Sequence, residues 1–244
     1  MARLSTLRIR DYMLPTLSPS LAQLRLIPSI IQAVNPSLHA HLPLTQPFFA
    51  IPGILTMYAH DIQEYGSVAR LFDALLAREA VFSVYMFAAI ILARADELFA
   101  IPADEPEILH SVLSKLPQPL DVDGLVASTI ALVETHPPER LRSWRTISRA
   151  SVLKTARVPG EAGAQSMEDG KRFFDVQVRE LERAERRERV MAVMWKYRRP
   201  ARTVGLAILV GVLAYWVQRR SGGVSGLVGM FGSSRWFGSG GWRR

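Results

Sequence analysis

The chain has 244 residues, with 30 Lys/Arg against 22 Asp/Glu and no cysteine, which excludes disulfide frameworks, thiolate zinc sites and cysteine nucleophiles. Residues 1–170 carry 14 basic and 17 acidic side chains, whereas residues 171–244 carry 16 and 5, so the net charge of +8 belongs to the tail. A basic globular face for nucleic acid is therefore not supported. The single asparagine, Asn35, precedes Pro36, which leaves no glycosylation sequon, and the first residues lack the apolar run of a secretory signal.

Arg3, Arg8 and Arg10, with no acid before Asp11, could also suit a mitochondrial presequence. Pro15, Pro19 and the serines between them mark a loop, after which SLAQLRLIPSIIQAV opens a helix near Ser20. Pro28 should kink that helix, because it lacks an N–H and its ring clashes with the preceding turn. Asn35-Pro36 should stop it, since a residue before proline is pushed out of the helical region. Further helices are predicted at about 46–64, 67–77, 80–99, 104–116, 121–135 and 137–155. Asp104 with Glu107 reads as an N-cap and capping-box pair, and Asp121 as a second cap.

The most informative stretch is Val68 to Phe99. Its run from Ala80 to Ala93 carries no formal charge and spaces its apolar residues as a helix does. Such a helix is roughly 21 Å long, short of the ~30 Å hydrocarbon core of a bilayer, and it holds the polar groups of Ser83 and Tyr85. It reads as the buried central helix of an all-helical domain over residues 1–155.

Residues 156–170 are rich in Gly and small polar groups and read as a linker. Residues 171–200 form a charged helix in which Glu168→Arg172, Asp175→Arg179, Glu182→Arg186 and Glu185→Arg189 stand four apart. Each such pair is worth roughly 0.3–0.5 kcal/mol on an exposed helix. Thr203 to Val217 is apolar, flanked by Lys196, Arg198, Arg199 and Arg202 before it and Arg219 and Arg220 after it, with Tyr215 and Trp216 at one end. It predicts a single transmembrane tail anchor at 201–220, aided by snorkelling arginines, with a buried or interfacial helix as the other reading. Residues 221–244 are a low-complexity tail.

Five pieces of wording carry a family resemblance. Arg10-Asp11-Tyr12-Met13 comes first, IPSIIQAVNPSLHAHL and FFAIPGILTMYAHDI follow it, Arg70-Leu71-Phe72-Asp73 then leads into VYMFAAIIL, and ILHSVLSKLPQPLDVDGLVASTIALVETHPP comes last. Over residues ~8 to ~150 the chain resembles the C-terminal half of a TBC domain, the all-helical GTPase-activating module for Rab GTPases. Arg10-Asp11-Tyr12-Met13 is similar to the entry to this half in the membrane-anchored, early-secretory subfamily. The resemblance implies a Rab-family small GTPase as partner, an endoplasmic-reticulum or Golgi membrane location with the globular part facing the cytosol, and no cofactor. The chain departs from the family at Pro52-Gly53, where the related helix is uninterrupted and carries a bulky aromatic, and this puts the packing of that helix in question.

TBC proteins use two fingers, an arginine after an Ile-Pro turn and a glutamine in a Tyr-x-Gln motif. Both belong to the half that precedes Arg10 to Met13, and the sequence has no Tyr-x-Gln. No catalytic residue is carried over, Arg8 and Arg10 being too near the start to serve. The expectation is either an incomplete copy of a GTPase activator, beginning at an internal Met, or a finger-less relative that binds without turnover as a membrane-anchored helical adaptor. A halved domain should expose an apolar patch. Arg70 and Asp73 are the candidate binding residues, with structural bracing as the competing role. His39, His41, His60, His110 and His136 lack the i, i+4 spacing of a helical metal pair, and Gly222 to Gly229 lacks the Lys-Ser/Thr of a phosphate loop.

Overall fold

The computed structural model describes residues 2–42 and 47–220, so the low-complexity tail 221–244 lies outside the described residues. Among those described, all regular structure is helical, as the sequence predicts. The chain divides into two units, Met1–Ala184 and Glu185–Arg244.

The first unit is organised around α7 (Phe82–Ala93), in which nine side chains from Phe82 to Ile91 are buried and no face is left to solvent. This is the central helix read from the uncharged run. Each large side chain there contributes roughly 1.5–3 kcal/mol by burial. Its polar groups find partners: the Tyr85 hydroxyl donates to the His136 carbonyl at 2.6 Å, and the Ser83 carbonyl accepts from the Tyr58 hydroxyl at 2.5 Å. Around it pack α3 (Leu26–Val34), α5 (Ile51–Leu55) and α10 (Val122–Thr135), and α6 (Tyr65–Ala77) lies against α10. The remaining helices of this unit are α1 (Ala2–Arg8), α2 (Ser18–Leu24), α4 (Pro36–His41), α8 (Ala95–Phe99), α9 (Pro106–Leu113), α11 (Val152–Thr155) and α12 (Glu161–Ala164).

Several boundaries differ from the sequence expectation. The predicted kink at Pro28 is realised upstream as a break at Arg25 between α2 and α3. Pro28 then occupies the first turn of α3, where its missing N–H costs nothing. The expected helix over 46–64 stops at Leu55, and Met57 and Tyr58 follow with positive φ of 53° and 64°, a conformation that costs a bulky residue roughly 1–2 kcal/mol. Tyr58 is held there by burial, by its hydroxyl bond and by its N–H on the Gly53 carbonyl at 2.6 Å. A Cβ at Gly53 would already touch the Phe87 and Tyr58 rings at 3.4–3.5 Å. Residues 137–155 are two 3-10 turns, Pro138–Arg140 and Arg142–Thr146, and the short α11, not one helix.

Asp121 caps α10 as expected, its Oδ1 accepting from the Gly124 N–H at 3.0 Å, and Asn35 caps α4 in the same way through the Leu38 N–H. Asp104 does not cap: α9 starts after Glu105 without a side-chain cap, Pro106 fixing the first turn instead. Within residues 156–170, α12 forms and α13 (Met167–Arg220) begins.

α13 is 54 residues long. Of the four predicted i, i+4 pairs only Glu185–Arg189 forms, at 3.2 Å; Arg172 turns to Asp169 at 3.0 Å instead. In the second unit the side chains from Leu206 to Val217 are exposed. Among the described residues no helix is long and apolar enough to cross a membrane. The transmembrane anchor expected at 201–220 is therefore not supported among the described residues.

Candidate functional site

Arg70 lies on the exposed side of α6, half a helix beyond Glu64, and Asp123 is in the first turn of α10. The Asp121 cap fixes the start of α10 and so sets Asp123 opposite Arg70. The Arg70 Nε donates to Asp123 Oδ1 at 2.8 Å, with the two side chains 53% and 76% exposed. Asp73, also exposed, lies one turn further along α6 and is not the partner of Arg70. The pairing suggested by the spacing of Arg70 and Asp73 is thus replaced by one between helices, which sequence spacing could not reveal.

Beside this pair, at the start of α6, the loop of Asp61 to Glu64 and the turn of Gln118 to Leu120 enclose a groove of about 500 Å³. Ser67 donates to Glu64 at 2.8 Å on its wall. The groove wall carries the carboxylates of Asp61 and Glu64, and the exposed ion pair adds Asp123 and one guanidinium. Together they can offer a protein surface hydrogen-bond acceptors and one guanidinium, and they hold no nucleophile–base pair.

A second polar cluster is buried. Arg10 and Asp11, in the 3-10 turn Arg10–Met13, are 1% and 0% exposed. The Asp11 carboxylate accepts from Gln23 Nε2, from Ser151 Oγ and from the Val152 N–H. The Arg10 guanidinium donates to the Ala150 carbonyl at 2.7 Å and to Thr155 Oγ1, and it stacks on the Phe173 ring. Burial lowers the Arg10 pKa, and the neighbouring Asp11 charge opposes that shift. Arg8 donates to the Leu75 and Arg78 carbonyls at the end of α6, and burial lowers its pKa while Glu79 raises it. Arg8 and Arg10 are therefore both engaged inside the fold. In the sequence Arg10-Asp11-Tyr12-Met13 served only as wording; the signal for its structural role was a pair of adjacent opposite charges with no further charge until Arg25.

Comparison with known proteins places these features in a family. Residues 1–99 match the Rab-GTPase-TBC domain. The GTPase-activating protein gyp10 of Schizosaccharomyces pombe is 33% identical over 180 residues, 72% of this chain and 48% of that protein. TBC1 domain family member 20 of Bos taurus and of Homo sapiens are each 31% identical over 141 residues, 57% of this chain and 35% of theirs. The chain belongs to the TBC-domain Rab GTPase-activating family. It spans about half the length of gyp10 and about a third of the two mammalian relatives.

Proposed function

We propose that this chain is the C-terminal helical half of a TBC-type GTPase activator for an early-secretory Rab, and that by itself it binds the GTPase without accelerating hydrolysis. The observation that carries this is the match of residues 1–99 to the Rab-GTPase-TBC domain together with the similarity to gyp10 across 180 residues. A Rab activator works by placing charge against a developing transition state, and an arginine finger can supply 10³–10⁵ in rate. Arg8 and Arg10 are turned inward and cannot reach out to a partner without unfolding the segment that holds them. That favours binding over turnover and supports an adaptor as the second reading.

Arg70 and Asp73, both exposed on α6, are the proposed contact residues. The early-secretory assignment, at the endoplasmic reticulum or Golgi, rests on the resemblance of Arg10 to Met13. The test is a panel of GTP-loaded early-secretory Rabs mixed with the full chain, read by calorimetry and by single-turnover phosphate release. Binding with less than a twofold change in hydrolysis is expected. A rise of a hundredfold or more would sink the claim of inactivity, and absence of binding to every Rab would sink the partner.

A further inference from the structure

The second unit opens on α13 with ERRERVMAVMWK, residues 185–196, and every side chain of this segment is exposed. Val190, Met191, Val193, Met194 and Trp195 are each 52–67% exposed. Contiguous apolar side chains left open in this way mark a contact surface. At 3.6 residues per turn the five cover an arc of about 200° around the helix. Val190, Val193 and Met194 stand at i, i+3, i+4, and so do Met191, Met194 and Trp195. That is the anchor spacing of a helix seated in an apolar groove.

Charge says what kind of groove. Arg186, Arg187 and Arg189 precede the apolar run and Lys196 closes it. Only Glu185 and Glu188 oppose them, and Glu185 is held by Arg189 at 3.2 Å. Residues 185–244 hold 12 Lys/Arg and 2 Glu, whereas residues 1–184 hold 18 basic and 20 acidic side chains. The complement of the segment is therefore an apolar interior with an acidic rim. A flat lipid surface covers about half of a helix, less than this arc, and Arg186 and Arg187 fall inside the arc one turn earlier. Lying on a bilayer would press both guanidinia toward the acyl chains. A groove that closes around the helix buries the whole arc and meets the arginines at its rim. Leu206 to Val217 is exposed as well, but it holds no charge to select an acidic partner.

We propose that residues 185–196 are a docking segment for an acidic, calcium-binding protein whose methionine-lined groove closes around a helix. Basic helices with bulky apolar anchors are what such proteins bind. Their grooves open when calcium binds, and methionine adapts to mixed aliphatic and aromatic anchors. The docking segment goes beyond the reading of the chain as a Rab-binding half-domain and does not depend on it.

The test mixes the full chain with calmodulin as the probe, in calcium and in chelator, and reads binding by calorimetry. A dissociation constant of about 1 μM or tighter is expected in calcium, with no binding in chelator. Met194→Glu and Trp195→Glu should each weaken binding by about tenfold or more, with melting temperatures unchanged because both side chains face solvent. Leu213→Glu, in the uncharged apolar stretch, should bind as the unaltered chain does. No binding in calcium, equal binding in chelator, or an equal loss in Leu213→Glu would each overturn the proposal. Sedimentation with phosphatidylserine vesicles in the absence of calmodulin binding would assign the surface to a membrane and overturn it too. The calcium and chelator titrations of the unaltered chain decide the matter even if a variant does not fold.

Discussion

Two arginine–aspartate pairs in this molecule share their chemistry and differ in almost everything else. Arg70 and Asp123 meet at 2.8 Å in open solvent, across the packed helices α6 and α10, with one hydrogen bond between them. Arg10 and Asp11 are 3.9 Å apart and hidden, and their energy comes from third parties: carbonyls, hydroxyls and an N–H that complete each charge separately. The closer pair is the weaker one for stability. Water already solvates Arg70 and Asp123 well, so bringing them together gains little. Removing either partner from the buried pair strands a charge, and that is where the cost lies.

The contrast can be broken first at its strong end. Asp11→Ala leaves the Arg10 cation without a counter-charge and frees the donors of Gln23, Ser151 and Val152; a loss of about 3–5 kcal/mol is expected, read as a fall in the denaturation midpoint. Arg10→Met keeps the stem's packing on Phe173 and leaves Asp11 its three donors, so a smaller loss, about 2–3 kcal/mol, should follow from the carbonyl and hydroxyl left unpaired. If the two variants cost the same, the cluster acts through the ion pair and not through the separate hydrogen bonds.

Between the extremes lies Arg157 with Glu139, at 2.7 Å and partly exposed. Hydrogen bonding from Arg157 holds the Glu139 carboxyl below its ordinary 4.5, with burial opposing. A carboxyl depressed in the folded state stabilises at pH above its unfolded value and loses that contribution as pH falls through the folded one. Arg157→Gln should therefore lower stability at neutral pH by under about 1 kcal/mol and leave acid stability unchanged, so the two melting curves converge as pH drops below 4.5. At the weak end, Arg70→Ala should shift stability by less than about 1 kcal/mol while weakening Rab binding, if the exposed pair belongs to the contact face. A thermal melt beside a binding isotherm separates these two effects.

How much of this was legible in the sequence varies with the range of the forces involved. The central helix was readable because an uncharged run of fourteen residues with helical spacing has one soluble solution, burial on every side. Asp121 was readable because a cap acts within three residues. Asp104 failed as a cap because Pro106 sets the helix start two residues later, and Pro28 failed as a kink because the break moved to Arg25. In both cases neighbouring residues offered a cheaper arrangement. Arg70's true partner lies 53 residues away, and the partners of Asp11 lie up to 141 away; no local pattern announces such pairings. The expected membrane span finds no support among the described residues.

The distance from Asp11 to Val152 also sets a clock. During synthesis at about 5–20 residues per second, Gln23 follows Asp11 within 12 residues, but some 140 must be made before Ser151 and Val152 exist. That interval is roughly 7–28 s at those rates. Throughout it the Asp11 carboxylate lacks two of its three partners, so this segment takes its final place only once Ser151 and Val152 have been made.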